Sequence, residues 1–216
     1  MIIKYEDNEI IRKREKLAEE IFNRLPYRYC FITGSFLYKE KYRDVDVFVI
    51  TRSKKKAELK DKKIKIQTLD FNDLHSLFYH SISKSCIAKN ILPKKPLKIT
   101  ISDYWNVINE AVPTIFNEKN KFKKYIRDLV LYTSYLKDQT VLGSNELNEK
   151  ISSFNNLNEV LKYIKNEIPG IIKAKARQSY IKRFFYTESG SYKDMFQYDS
   201  HRFLYNLCHS VISEGA

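Results

Sequence analysis

The chain has 216 residues, of which 43% are hydrophobic and 14% aromatic, and these fractions exclude a disordered polypeptide and a coiled coil. The formal net charge of +13 predicts anionic partners such as nucleotides or RNA, although a genomic base composition that favours lysine codons would produce the same excess of lysine. Three widely spaced cysteines, Cys30, Cys86 and Cys208, indicate reduced core thiols and exclude a disulfide framework or a zinc ribbon.

The first part of the chain begins with a helical pattern and continues with strands. Apolar residues recur at steps of three and four over residues 6–24, which predicts an amphipathic helix that ends before Pro26. Runs rich in β-branched and aromatic residues follow and predict three strands, at 27–33, 44–51 and 63–69. A second helix is predicted over 71–82, where apolar residues again recur at helical spacing.

The segment "LPKKP" at 92–96 is the clearest break in the chain, because two prolines suit neither a helix interior nor a central strand. The next run, "LKITIS", fits either a last strand or the approach to a helix. Helical spacing then predicts helices at 121–137, 157–168, 171–186 and 194–212, separated by Gly143-Ser144, Pro169-Gly170 and Ser189-Gly190. We predict an α+β protein with a small mixed-sheet domain, 1–95, followed by a helical bundle, 96–216.

Two carboxylates lie inside the most valine-rich segment, "DVDVFVI". In a strand, Asp44 and Asp46 point to one face while the valines point to the other. Carboxylates about 7 Å apart can share Mg²⁺ or Mn²⁺, which prefer oxygen ligands. An edge strand with one polar face would show the same alternation, but Phe48 shares the carboxylate face, and a solvated face disfavours it. We therefore predict a metal site at Asp44 and Asp46.

Gly34 and Ser35 end the preceding strand. A glycine lets a phosphate approach the backbone, and the N–H groups that open the next segment can donate to it, together with the serine hydroxyl. Phosphate at Gly34-Ser35 and metal at Asp44 and Asp46 would lie on adjacent strands. This arrangement indicates metal-assisted phosphoryl or nucleotidyl transfer.

The stretch "TGSFLYKEKYRDVDVFVI" resembles the signature of the nucleotidyltransferase superfamily typified by polymerase β, a Gly-Ser followed by Asp-x-Asp on the next strand. The predicted sheet and following helices resemble the minimal nucleotidyltransferases and the AbiEii-type toxin branch, in which a helical bundle follows a small transferase domain. The signature covers about twenty residues and the strand order the first ninety or so, and residues 97–216 match only in being helical. The resemblance implies that Gly34 and Ser35 hold a nucleoside triphosphate, that Lys39 or Lys41 adds positive charge, and that Asp44 and Asp46 hold the metal. It also implies a toxin-like role with an antitoxin partner.

The superfamily resemblance further implies a third carboxylate on a later strand, as metal ligand and as base for the attacking hydroxyl. In "KIKIQTLD" the middle positions are Lys65 and Gln67, and the acid is Asp70 at the strand end. Asp70 has two interpretations: the third carboxylate, or a helix N-cap with Asp73 in the acidic position of a capping box.

Two basic segments are weaker candidates. The connection "TRSKKKAELKDKKIK" at 51–65 is either a solvated loop or a contact for a phosphate backbone. The segment "IIKAKARQSYIKRFFY" at 171–186 is either a basic helix beside the site or an amphipathic bundle helix. The histidines lack i,i+4 pairing, so we interpret them as packing or surface residues, at His75, His80, His201 and His209.

Two functions follow from these patterns. The first is a Mg²⁺-dependent nucleotidyltransferase that acts on an RNA, protein or small-molecule hydroxyl, with a polycationic aminoglycoside disfavoured by the net charge. The second is a nucleotide- or RNA-binding module with the same fold and no turnover; an unrelated interaction protein with an incidental Asp-x-Asp is a third interpretation. No apolar run reaches the roughly 18 residues of a membrane span, and the first residues lack signal-peptide order, so we expect no membrane partner and a cytoplasmic location.

Overall fold

The computed structural model describes residues 2–52, 59 and 61–213. These residues form an α+β protein with a five-stranded mixed sheet and ten α-helices. The strands are β1 (Ile3–Lys4), β2 (Tyr29–Thr33), β3 (Val45–Ile50), β4 (Ile64–Leu69) and β5 (Ile87–Ala88). The helices are α1 (Glu9–Asn23), α2 (Ser35–Tyr38), α3 (Leu77–Lys84), α4 (Ile101–Asn117), α5 (Phe122–Tyr125), α6 (Arg127–Asp138), α7 (Ser144–Ser152), α8 (Leu157–Lys175), α9 (Gln178–Lys193) and α10 (Asp199–Ile212).

The chain forms two compact units. The first unit comprises Met1–Lys98 and Val141–Glu146, and the second comprises Ile99–Thr140 and Leu147–Ala216. The chain first passes from the first unit to the second after Lys98, whereas the sequence predicts this boundary after residue 95. The short segment Val141–Glu146, which the sequence assigns to the helical part, belongs to the first unit.

The sheet has the strand order β1-β5-β2-β3-β4. Strands β3 and β4 are parallel, and the other neighbouring pairs are antiparallel. The sequence predicts β2, β3 and β4 to within two residues at each end, but it does not predict β1 and β5. Each of these two strands has only two residues, which is too short for a period-two pattern to appear.

Both faces of the central strands are covered. Val45, Val47 and Val49 lie in an apolar cluster with residues of α1 and α2. Phe48 and Ile50 lie in a second cluster, on the opposite face, with residues of α3. The alternation predicted from "DVDVFVI" is confirmed, and Asp46 shares its face with Phe48 and Ile50.

The helix after β4 begins later than the sequence predicts. Asp70 and Asp73 do make the reciprocal bonds of a capping box: Asp70 Oδ1 accepts from the Asp73 N–H at 3.1 Å, and Asp73 Oδ2 accepts from the Asp70 N–H at 2.7 Å. These bonds open a 3-10 turn at Asp73–His75. The α-helix starts only at Leu77, because Ser76 adopts an extended conformation and its hydroxyl caps the Tyr79 N–H at 3.1 Å.

Gly143 lies between α6 and α7, as the sequence predicts, but the other two predicted separators lie inside helices. Helix α8 continues through Pro169-Gly170, since Ile164, Ile168, Ile171 and Ile172 form one buried stripe on both sides of the proline. Helix α9 likewise continues through Ser189-Gly190, and the break between the two helices lies at Ala176-Arg177. The helix predicted at 121–137 is divided at Ile126. Burial of apolar side chains outweighs the local preference of proline and glycine at these positions.

The segment "LKITIS" leads into a helix and forms no strand. The Thr100 hydroxyl and the Asp103 carboxylate make a capping box at the start of α4, with the Thr100 N–H donating to Asp103 Oδ2 at 2.8 Å. None of the helices in the described ranges combines the length and the apolar character that crossing a membrane requires.

Candidate functional site

Gly34 links the end of β2 to the start of α2. Its φ of 81° and ψ of −158° lie in a region that is open to glycine and strained for other residues. The chain thereby turns at once from Thr33 in the strand to Ser35 in the helix. The sequence-predicted phosphate contact, Gly34-Ser35, is therefore a sharp strand-to-helix turn.

Asp46 lies directly against this turn. In the antiparallel register of β2 and β3, Thr33 is opposite Asp46. A Cβ atom built on Gly34 would stand 3.0 Å from Asp46 Oδ2, which is shorter than an ordinary van der Waals contact. The structure thus places the backbone of Gly34 beside one of the two predicted metal ligands.

The Asp46 carboxylate is partly buried and makes no hydrogen bond or ion pair with any of the described residues. Burial raises its pKa above the usual value, and the negative charge of Asp44 raises it further. An unpaired carboxylate in such a position is destabilising unless a cation or a proton joins it. The positive charges of Lys65 and Arg43 offset part of this effect, although neither side chain forms an ion pair with Asp46.

Asp44 is paired. It lies one residue before β3, where its Oδ2 atom accepts from Arg43 Nε at 3.1 Å and contacts the Lys65 ammonium. Hydrogen bonding to Lys65 is the main cause of its lowered pKa, and Arg43 adds to the effect. The two carboxylates of the Asp-x-Asp pattern thus have different surroundings and opposite pKa shifts.

Lys65 reaches Asp44 from the neighbouring strand. In the parallel register of β3 and β4, Lys65 lies opposite Asp46, so both side chains project from the same face of the sheet. Position 65 is therefore where a carboxylate on the next strand would stand closest to Asp46. The structure has a lysine there, as the sequence shows.

The register of β3 and β4 places Asp70 at the far end of β4 from this cluster, which disfavours the third-carboxylate interpretation. Because Lys65 is opposite Asp46, Asp70 lies five residues farther along the direction of β4, or roughly 16 Å away. Its Oδ1 atom accepts from the N–H groups of Asn72 and Asp73. Asp70 therefore acts as a cap, as the second interpretation predicts, but the element that it caps is a 3-10 turn and not the predicted α-helix.

Arg14 of α1 fixes the segment between the turn and Asp44. Its guanidinium donates to the carbonyl oxygens of Phe36, of Lys39 at 2.7 Å and of Glu40 at 2.8 Å. It also stacks on Tyr42, with its Cζ atom 4.5 Å from the ring centroid. This role of Arg14 was not predicted, although an arginine within the apolar stripe of a predicted helix is a signal for it.

The remaining predicted phosphate contacts are accessible. Ser35 is partly buried at the first position of α2, and Lys39 is exposed at the end of the same helix. Beside them the Thr33 hydroxyl donates to the Ser85 carbonyl at 3.1 Å and lies 3.4 Å from Ser144 Oγ. The segment Val141–Glu146 thus lies next to the turn, within the first unit.

Seven of the fifteen residues of the basic connection at 51–65, namely 53–58 and 60, lie outside the described part of the chain. Arg52, Lys62 and Lys63 are exposed. In the second unit the cations predicted for a basic helix are exposed too, at Lys173, Lys175, Arg177, Lys182 and Arg183.

The histidines and cysteines of the described chain that could carry chemistry have structural surroundings. His75 and His80 bond to the backbone carbonyl oxygens of Pro96 and Lys95. The three cysteines are buried and unbonded to one another, which confirms the prediction of core thiols. Burial raises the pKa of Cys30 to about 11, so its thiol stays protonated near neutral pH.

Within residues 2–52, 59 and 61–213, no group of three or more His, Cys, Asp or Glu side chains is placed to hold a metal ion. The two carboxylates of the candidate site are thus Asp44, which is paired with Lys65, and Asp46. The chain matches no protein-family model, no curated protein and no solved structure in the three comparisons that we made.

Proposed function

We propose that the first unit binds a nucleoside triphosphate and a divalent cation at Gly34, Ser35, Asp44 and Asp46, and moves the nucleoside monophosphate to a hydroxyl acceptor. The acceptor oxygen forms a bond to the α-phosphorus as the bond to the bridging oxygen breaks, so pyrophosphate leaves and the proton of the acceptor hydroxyl passes to solvent water. The unpaired, partly buried Asp46 carboxylate beside the Gly34 turn is the observation that carries this proposal.

The donor set fits Mg²⁺ or Mn²⁺. Hard divalent cations prefer carboxylate oxygen and retain positions for water and phosphate, so two carboxylates are enough to hold one of them with a triphosphate. A bound cation would supply charge stabilisation at the phosphates during transfer. Asp46 would hold it, since the other carboxylate, Asp44, is already paired with Lys65 and Arg43.

The Gly34 turn is suited to a phosphate group. The Asp46 carboxylate fills the space where a side chain of residue 34 would stand, so a cation held by Asp46 would meet the phosphate beside the turn, and Ser35 adds a hydroxyl at the same edge. Helix α2 has four residues, so its dipole is small and contact would depend on single N–H groups. Lys39 is exposed at the other end of α2 and would add positive charge.

The charge of the whole chain supports an anionic acceptor. With a formal net charge of +13, the protein attracts RNA or an acidic protein surface more than a polycation. The strand order and the Gly-Ser and Asp-x-Asp positions on neighbouring strands support the nucleotidyltransferase fold that the sequence resemblance implies. A toxin-like role with an antitoxin partner stays a prediction of that resemblance.

One observation favours a second function. Lys65 occupies the position nearest Asp46 on the next strand, where the resemblance implies a third carboxylate, and Asp70 is too distant to replace it. A site that lacks this acid lacks the base expected to activate the acceptor. The second candidate is therefore a module that binds nucleotide or RNA with little or no turnover.

Transfer of label separates the two candidates. The protein would be incubated with each α-labelled triphosphate, Mg²⁺ or Mn²⁺ and total RNA, and label in RNA or protein would be measured. Asp46→Asn is the test variant, and Asp194→Asn is the matched control, since Asp194 is exposed on the second unit. We expect transfer by the parent and the control and its loss in Asp46→Asn. Binding of triphosphate without transfer by the parent would support the second candidate.

A further inference from the structure

The ammonium group of Lys65 already occupies part of the candidate site. Lys65 projects from the same face as Asp46 and contacts Asp44 Oδ2, and its positive charge acts on Asp46 without an ion pair. About half of its side chain is exposed, at 52%. The lysine therefore has the freedom to meet a ligand on the solvent side while it holds Asp44.

The formal charges at the site cancel. Asp44 and Asp46 carry two negative charges, and Arg43 and Lys65 carry two positive charges. A carboxylate at position 65 would instead leave an excess of two negative charges. Sites that bind two divalent ions a few ångströms apart need such an excess, because the ions repel each other strongly at that separation.

We propose that Lys65 takes the place of one cation, so that the site binds a single divalent cation at Asp46 while the Lys65 ammonium neutralises Asp44. This inference rests on the proposed function and specifies its cofactor requirement. The phosphates of the substrate would be met by one metal ion and one ammonium group, and a lysine ammonium is a compact point charge that suits phosphate.

Protection of the sheet edge against pairing with another chain does not by itself explain the position and contacts of Lys65. Strand β4 is at one end of the sheet order in the described part of the chain, and edge strands commonly carry lysine against self-association. Such a lysine needs only solvent around its ammonium. Lys65 instead contacts a carboxylate that is 12% exposed, directly beside an unpaired one.

Binding of Mn²⁺ alone, followed by the electron paramagnetic resonance signal of the free ion, tests the proposal without an activity assay. We expect one Mn²⁺ per parent chain, lost in Asp46→Asn, and two in Lys65→Asp. Lys65→Met, which keeps the length of the side chain without its charge, should bind the first ion about tenfold more tightly than the parent. Lys62→Met is the matched control, because Lys62 is exposed and just precedes β4, and its affinity should stay within about twofold of the parent.

Two results would overturn the inference alone: two Mn²⁺ ions in the parent, or a Lys65→Met affinity equal to that of Lys62→Met while Asp46-dependent binding persists. Absence of Mn²⁺ binding in the parent and in both Lys65 variants would instead overturn the proposed metal site, and the inference with it. Lys65→Met removes a charge at a half-exposed position, so it keeps the test informative if Lys65→Asp does not fold.

Discussion

Asp46 Oδ2 lies 3.0 Å from the point at which a Cβ atom on Gly34 would stand, and Gly34 itself has a φ of 81°. The Asp46 carboxylate can therefore lie this close to the backbone of the turn only because residue 34 has no side chain. This proximity places the proposed phosphate-binding turn beside the proposed metal ligand.

Gly34→Ala should destabilise the protein by about 1–3 kcal/mol, because alanine is strained at positive φ and its Cβ would press on Asp46. Urea unfolding measures this cost. Gly190→Ala is the control: Gly190 lies inside α9 with no atom within 4 Å of an added Cβ, so alanine should stabilise by about 0.5–1 kcal/mol. Equal stability of Gly34→Ala and the parent would contradict the strained turn.

The unpaired charge of Asp46 should appear in the pH dependence of stability. Because folding raises the pKa of Asp46, its contribution to stability is fully present below its ordinary pKa and is lost as the pH rises through the raised value. Asp46→Asn should therefore raise the free energy of unfolding relative to the parent near pH 7 and lose this advantage at about pH 3.

Asp44→Asn should instead lower the free energy of unfolding relative to the parent near pH 7. Pairing with Lys65 lowers the pKa of Asp44, so the contribution of this group is present above its ordinary pKa and is lost as the pH falls through the lowered value. Urea unfolding of both variants at the two pH values provides the comparison. The same sign for both variants near neutral pH would contradict the different surroundings of the two carboxylates.

Arg14→Lys should destabilise the first unit by about 1–3 kcal/mol, because the compact ammonium of lysine lacks the planar guanidinium that reaches the carbonyl oxygens of Phe36, Lys39 and Glu40 and stacks on an aromatic ring. Arg12→Lys is a control on the same helix, since Arg12 makes an exposed ion pair with Asp7 and should change stability by less than about 1 kcal/mol. Similar losses in the two variants, measured by urea unfolding, would show that Arg14 does not anchor this segment.

Asp70→Ala should cost about 0.5–2 kcal/mol in unfolding free energy, because two N–H groups of the turn after β4 lose their acceptor. Mn²⁺ affinity should be the same as in the parent, since Asp70 lies roughly 16 Å along the strand direction from the carboxylate pair. A loss of Mn²⁺ binding in a variant that stays folded would restore Asp70 as a ligand.

The sequence predicts the elements that position the site. The valines of β3 show a period of two, and the apolar stripe of α1 shows the helical period, so the strand, its buried face and the helix behind it follow from local pattern. The turn at Gly34 is also predicted, because glycine is the residue that such a turn needs.

Other features depend on contacts that no local pattern contains. Lys65 faces Asp46 because β3 and β4 are parallel and in one particular register, and sequence periodicity does not determine a register. The same register separates Asp70 from the carboxylates. Pro169 lies inside α8 because the isoleucines around it are buried together, although local propensity predicts a break.

The most direct test of the proposed site is Mg²⁺-dependent binding of a nucleoside triphosphate, measured by calorimetry on the parent and on Asp46→Asn, with Asp194→Asn as control. We expect the parent and the control to bind triphosphate in Mg²⁺ and Asp46→Asn to bind it at least about tenfold more weakly. Equal affinity of the parent and Asp46→Asn in Mg²⁺, or no triphosphate binding by the parent, would contradict the site at Gly34 and Asp46.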